Sequence, residues 1–130
     1  MRKQYHTRLV DGVRHTWDVH RLVRLAKALP VSMVPLSEIS ELDEIWWFQE
    51  QDDLPTPRSI AAHFRLMEQA DLAHPIILCS EGRLMDGMHR VMKALVEDAI
   101  EIAAVRFPQT PQPDFLDVDV AGLPYPDEDV

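Results

Sequence analysis

The sequence predicts an α/β (α+β) domain, a small mixed sheet with helices packed on it. Three observations predict it: an Asp-Gly pair between two β-prone runs near the start, apolar residues at helical spacing in three separate stretches, and short apolar runs between those stretches. The 130 residues are about one domain's worth, enough to bury roughly two-thirds of the unfolded surface.

Taken in order, residues 4–17 read as a hairpin. Asp11-Gly12 separates YHTRLV from VRHTW, and that pair favours the positive φ angles of a type I′ turn. From Trp17 to Leu29 the spacing of Val19, Leu22, Val23, Ala26 and Leu29 predicts a helix, with Thr16 as its N-cap and Pro30 ending it. Val31–Leu36 reads as an edge strand or strand end, because Pro35 cannot donate to a ladder. An acidic stretch over 37–54 follows, carrying Trp46 and Trp47 side by side. Thr56-Pro57 opens a second helix with a capping hydroxyl and a proline at its first position, and Ile60, Phe64 and Met67 mark its expected buried side. Residues 75–79 form an apolar strand, 80–83 a turn, and Leu84-Met85 a second short strand. A helix runs from about Met88 to Asp98, with Val91, Met92, Leu95 and Val96 expected in the core, and 101–107 closes the fold as a strand.

Composition narrows the function classes. Thirteen Lys and Arg against 22 Asp and Glu give a net charge of −9, which argues against broad phosphate-neutralising contact with nucleic acid and lowers a nuclease reading. No apolar run approaches the roughly 18 residues of a membrane span, so no membrane partner is expected. The lone Cys79 excludes an internal disulfide, fits a cytoplasmic protein and reads as a buried small hydrophobe. Six histidines form none of the spacings that mark a zinc site, so no structural metal is expected.

The charge is unevenly spread. Residues 1–30 carry seven basic side chains and two acidic ones, whereas residues 107–130 have no Lys or Arg, six acids and five of the ten prolines. The expected organisation is therefore a domain over 1–107, with the hairpin and first helix as an N-terminal extension, and an acidic Pro-rich tail over 108–130. Phe115, Leu116, Val118, Leu123 and Tyr125 are its apolar anchors. The basic helix is open to three uses: covering a pocket, contacting DNA, or meeting a second copy in a homodimer.

The chemistry concentrates in Leu84-Met85-Asp86-Gly87-Met88-His89-Arg90. A strand ends, a glycine permits close backbone approach, and a helix starts with His89 and Arg90 in its first turn. Open N–H groups and the positive end of the helix dipole favour an anion there, and a guanidinium fork matches phosphate oxygens. The alternative is that Asp86 caps the helix and pairs with Arg90 as an ordinary surface ion pair. Arg58, at the start of the second helix, is a second candidate phosphate ligand. In the acidic stretch, Glu41, Asp43 and Glu44 beside aromatic residues are candidates for a general base or for holding Mg²⁺ with nucleotide phosphates. One of Trp46 and Trp47 is a candidate to stack a nucleobase.

The stretch from Val34 to Phe107 resembles the ParB/sulfiredoxin-like superfamily. The resemblance rests on VPLSEI, then HPIILCSEGRLMDGMHRVMKAL with its glycine and His-Arg pair opening a helix, then EIAAVRF. It implies a nucleotide-binding domain in which Asp86, Gly87, Met88, His89 and Arg90 hold phosphates of ATP, ADP or CTP. Met88 stands where sulfiredoxins carry their catalytic cysteine, so sulfinic-acid repair is not expected. The Asp-Gly-x-His-Arg form is closest to the free serine kinases of the superfamily. That likeness implies Mg²⁺-dependent phosphoryl transfer to a small-molecule acceptor, or nucleotide hydrolysis, with Glu44 or Asp43 as catalytic carboxylate; His89, from its place at the helix start, is a candidate donor or proton carrier. The sequence lacks the kinases' large extra domain and the DNA reader that follows this core in partition proteins. A non-enzymatic, nucleotide-binding regulator of the ParB type, acting on a protein or DNA partner, is the second expectation.

Overall fold

The computed structural model describes residues 4–49, 53–119 and 123, and the chain is an α+β protein. Strands β1 (Tyr5–Val10) and β2 (Val13–Asp18) form the expected hairpin, with Asp11 and Gly12 at φ of 52° and 79° in its turn. Helix α1 (Val19–Ala26) follows directly. Its N-cap is Asp18, whose side chain accepts from the His20 N–H at 2.9 Å. The expected cap, Thr16, and the expected first helical residue, Trp17, are instead fully buried strand residues of β2. The hairpin claims them because Thr16 and Trp17 pair with Thr7 and His6 across it.

Strand β3 (Ser32–Pro35) leads into two 3-10 turns over Leu36–Glu38 and Ser40–Asp43. After the aromatic segment come α2 (Pro57–Gln69), β4 (Ile76–Leu78), β5 (Leu84–Asp86), α3 (Met88–Val96) and β6 (Glu101–Arg106). The order in the main sheet is β3-β6-β4-β5; β4 runs parallel to β6, and the other pairs are antiparallel. Pro35 lies on an edge strand, as a residue without an N–H must.

Period-two alternation sends side chains to both faces of this sheet. Ile76, Leu78, Leu84, Ile102 and Ala104 meet Met88, Val91 and Ala94 of α3 on one face. Ile77, Met85 and Val105 meet Trp17, Leu22 and Ala26 on the other. The hairpin and α1 thus cover one of the sheet's two faces. Without them, one face of the sheet would lie bare to water.

Helix burial differs from the sequence expectation. α3 rests on the sheet through Met88, Val91 and Ala94, a row spaced by three, leaving Leu95 and Val96 exposed in its last turn. On α2 only Met67 is buried; Ile60 and Phe64 are about half exposed, because α2 packs beside α3 and not onto the sheet.

The acidic segment after residue 107 is docked on the basic extension. A two-residue strand, β7 (Phe115–Leu116), pairs with β2, and Phe115 meets Tyr5 edge to face. Asp114 accepts from Arg21 at 3.2 Å and from the Asp18 N–H, while the Trp17 indole N–H donates to Pro111 O at 2.8 Å. One use of the basic face is therefore to hold this chain's own acidic segment. Tyr125 lies outside the described residues. No helix among the described residues is long and apolar enough to cross a membrane.

Candidate functional site

Where β5 hands over to α3, the backbone must turn sharply, and Gly87 takes the N-cap position at φ of 114°. A Cβ here would lie 2.7 Å from the Ile76 side chain and 2.8 Å from the Arg90 guanidinium, so both conformation and space require glycine. Lacking a side chain, Gly87 leaves the first turn of α3 without a side-chain cap. The first intrahelical bond runs from the Val91 N–H to Gly87 O at 3.0 Å.

This helix start opens on a cavity of about 1130 Å³. Asp86, Gly87, Met88, His89 and Arg90 line one side of it, and Trp46, Trp47 and Phe48 line another. Arg90 donates to Asp86 at 3.0 Å, one turn back along the chain. Half of the alternative reading therefore holds: Asp86 pairs with Arg90, but it does not cap the helix.

Two other sequence candidates lie elsewhere. Glu44 is exposed and pairs with Arg83 at 3.0 Å, and Asp43 closes the second 3-10 turn; neither lines the cavity. Arg58 lines a separate groove along α2 with Ala61, Ala62 and Arg65. The buried acid of that stretch is Glu41, only 2% exposed and 3.2 Å from Arg83. The carboxylates that do line the cavity are Asp53, Asp71, Asp86 and Asp119. Among the described residues no three His, Cys, Asp or Glu side chains come together as a metal-ion site.

Three histidines, His6, His74 and His89, line the cavity, and His89 has a fourth, His63, as its partner. His63 of α2 and His89 of α3 meet through Nδ1 and Nε2 at 3.0 Å. Trp47 lies against both rings, with centroids 3.9 Å from His63 and 4.6 Å from His89. Burial lowers His63, opposed by the Asp53 carboxylate. Burial, then His63 and Arg90, bring His89 down to about 4. His89 is therefore neutral at physiological pH and offers a hydrogen bond in place of a charge. His6, stacked on Trp17 and Trp46, accepts from Arg8 through Nε2; burial and then the Arg8 and Arg83 charges bring it to about 3. His6 and His63 are illegible as site residues in the sequence because only tertiary packing brings β1 to the cavity and α2 to His89.

Cys79 is 1% exposed within the core, as expected of a small hydrophobe. Burial pushes its thiol up, but the Arg8 guanidinium at 3.5 Å and the N–H groups of Glu81 and Arg83 leave it below its ordinary value. Comparison with protein-family models, curated proteins and solved structures finds no match to this chain.

Proposed function

We propose that the chain is a nucleotide-binding domain of the ParB/sulfiredoxin-like type, holding phosphates at the start of α3. The observation that carries this reading is an uncapped helix start, with Arg90 in its first turn, facing a large cavity with an aromatic wall. An anion there would accept from N–H groups that no side chain caps and gain from the helix dipole. Asp86 holds the Arg90 guanidinium beside the opening, so the fork is positioned before the ligand arrives. Of the two tryptophans, Trp47 has one face on the histidine pair and Trp46 one face on His6, so a base would stack only on the opposite face of either ring.

Binding is better supported than turnover. The acids expected to act as catalytic base, Asp43 and Glu44, are not cavity residues, and Glu44 is engaged by Arg83. If Mg²⁺ takes part it would enter on the nucleotide's phosphates. The test is a calorimetric titration of ATP, ADP, CTP and GTP, with and without Mg²⁺, into the wild-type chain and Arg90→Ala. Saturable binding weakened at least tenfold by the substitution supports the reading. Binding that Arg90→Ala leaves unchanged, or no binding of any nucleotide, refutes it.

A further inference from the structure

We propose that His63 is a positioning residue for His89, and that an anion taken up at the start of α3 binds together with one proton carried by the two rings as a unit. This rests on the phosphate-site reading and adds a partner residue and a proton to it.

The geometry of the pair is specific. The facing nitrogens are 3.0 Å apart while the ring centroids are 5.2 Å apart, with planes 24° from parallel. The nitrogens therefore lie close to the line joining the ring centres, and the contact is an end-to-end N–H···N bond. Two ring lone pairs converging sideways on a metal ion would give a bent arrangement. One proton sits between the rings, which couples their tautomers. The neutral pair carries two ring protons, one in the contact and one outside it: if His63 Nδ1 donates, the outer proton is on His89 Nδ1, and if His89 Nε2 donates, it is on His63 Nε2. Passing from one arrangement to the other moves the shared proton across the contact while one outer nitrogen releases a proton to solvent and the other takes one up.

The charges around the pair fix the sign of the linkage. Arg90 on α3 opposes a positive charge on His89, and Asp53, on the segment before α2, favours one on His63. Asp86 on β5 is held by Arg90. Trp47 and Phe48, the ring contacts from the aromatic segment, carry no charge. The ligand-free pair is neutral at pH 7, because burial penalises the charged form. A phosphate at the helix start adds negative charge beside His89 and raises its affinity for a proton. The proton comes from solvent onto an outer ring nitrogen, and the charge is shared through the N–H···N bond. Binding must then tighten as pH falls, by up to about tenfold per pH unit for one proton.

The experiment is a calorimetric titration of ATP, without metal, in two buffers of different ionisation enthalpy and from pH 8 to pH 6. Wild type and His63→Gln are compared, so that protons exchanged by ATP itself cancel in the difference. The expected result is about one more proton taken up by wild type, and a steeper rise of its affinity toward low pH. Equal proton uptake and parallel pH profiles, with ATP bound by both chains, overturn the inference and leave the phosphate site standing. No ATP binding by wild type at any pH overturns both. Should His63→Gln not fold, the imidazole C–H resonances of wild type decide. The His63 and His89 titrations must shift to higher pH when ATP is added, and unshifted titrations contradict the proposal.

Discussion

Helices α2 and α3 begin under the same physical demand, N–H groups without carbonyl partners, and meet it in opposite ways. α2 starts on Thr56 and Pro57: the Thr56 hydroxyl accepts from the Ser59 N–H at 3.2 Å, and proline removes a donor that would have needed a partner. That start is self-sufficient, and Arg58 beside it faces a separate groove. α3 starts on Gly87, which gives no side-chain cap, tolerates only a backbone without Cβ, and turns its first residues toward the cavity. The difference teaches what to look for when two basic residues open two helices. A capped start needs no ligand, and an uncapped one set in a cavity has a use for one.

The largest effect should come from filling the glycine. Gly87→Ala combines an unfavourable φ with a contact against Ile76, and should cost about 2–4 kcal/mol in urea unfolding. A loss near zero would mean that the β5–α3 turn relaxes freely and that the α3 start, like that of α2, accepts a side chain. Acid should act next. His6 is held near pH 3 in the fold and titrates near 6.5 when unfolded, so its contribution to stability is present above about pH 6.5 and is lost as pH falls toward 3. Unfolding at pH 5 should require about 2 kcal/mol less than at pH 7 from this group alone. His6→Gln should flatten that slope, and an unchanged slope would remove His6 from the account.

Smaller effects separate structure from binding. Thr56→Ala should lose about 1 kcal/mol of stability and leave nucleotide affinity unchanged. A drop in affinity would show that the α2 start also serves the ligand. Glu44→Gln should change stability by about 0.5 kcal/mol or less, since its ion pair is exposed, and should not alter nucleotide affinity or any turnover. Loss of turnover with binding intact would restore Glu44 as the catalytic carboxylate.

Much of this architecture is legible in the sequence because its punctuation is local. Asp11-Gly12 dictates a turn, Thr56-Pro57 a helix start, and Asp86-Gly87 the break between β5 and α3. Local rules fail where tertiary contacts choose. Thr16 is as good a cap as Asp18, but the hairpin register takes it into the sheet. Ile60 and Phe64 have helical spacing, yet which side of α2 is covered depends on where α3 lies. The site divides in the same way. Gly87, His89 and Arg90 are neighbours in the chain and can be read together, whereas Asp53 reaches the cavity, and His63 reaches His89, from distant positions. Glu41 stands in a run of acids with nothing to mark it as the buried one.

The central claim is that the open start of α3 takes a phosphate group. It is tested most directly by following the backbone amide resonances of the isotopically labelled chain while ATP is added. Saturable shifts are expected at Gly87, Met88, His89 and Arg90, with Ser59 and its neighbours at the capped start of α2 unmoved. Shifts centred on α2, or none at any ATP concentration, would contradict it.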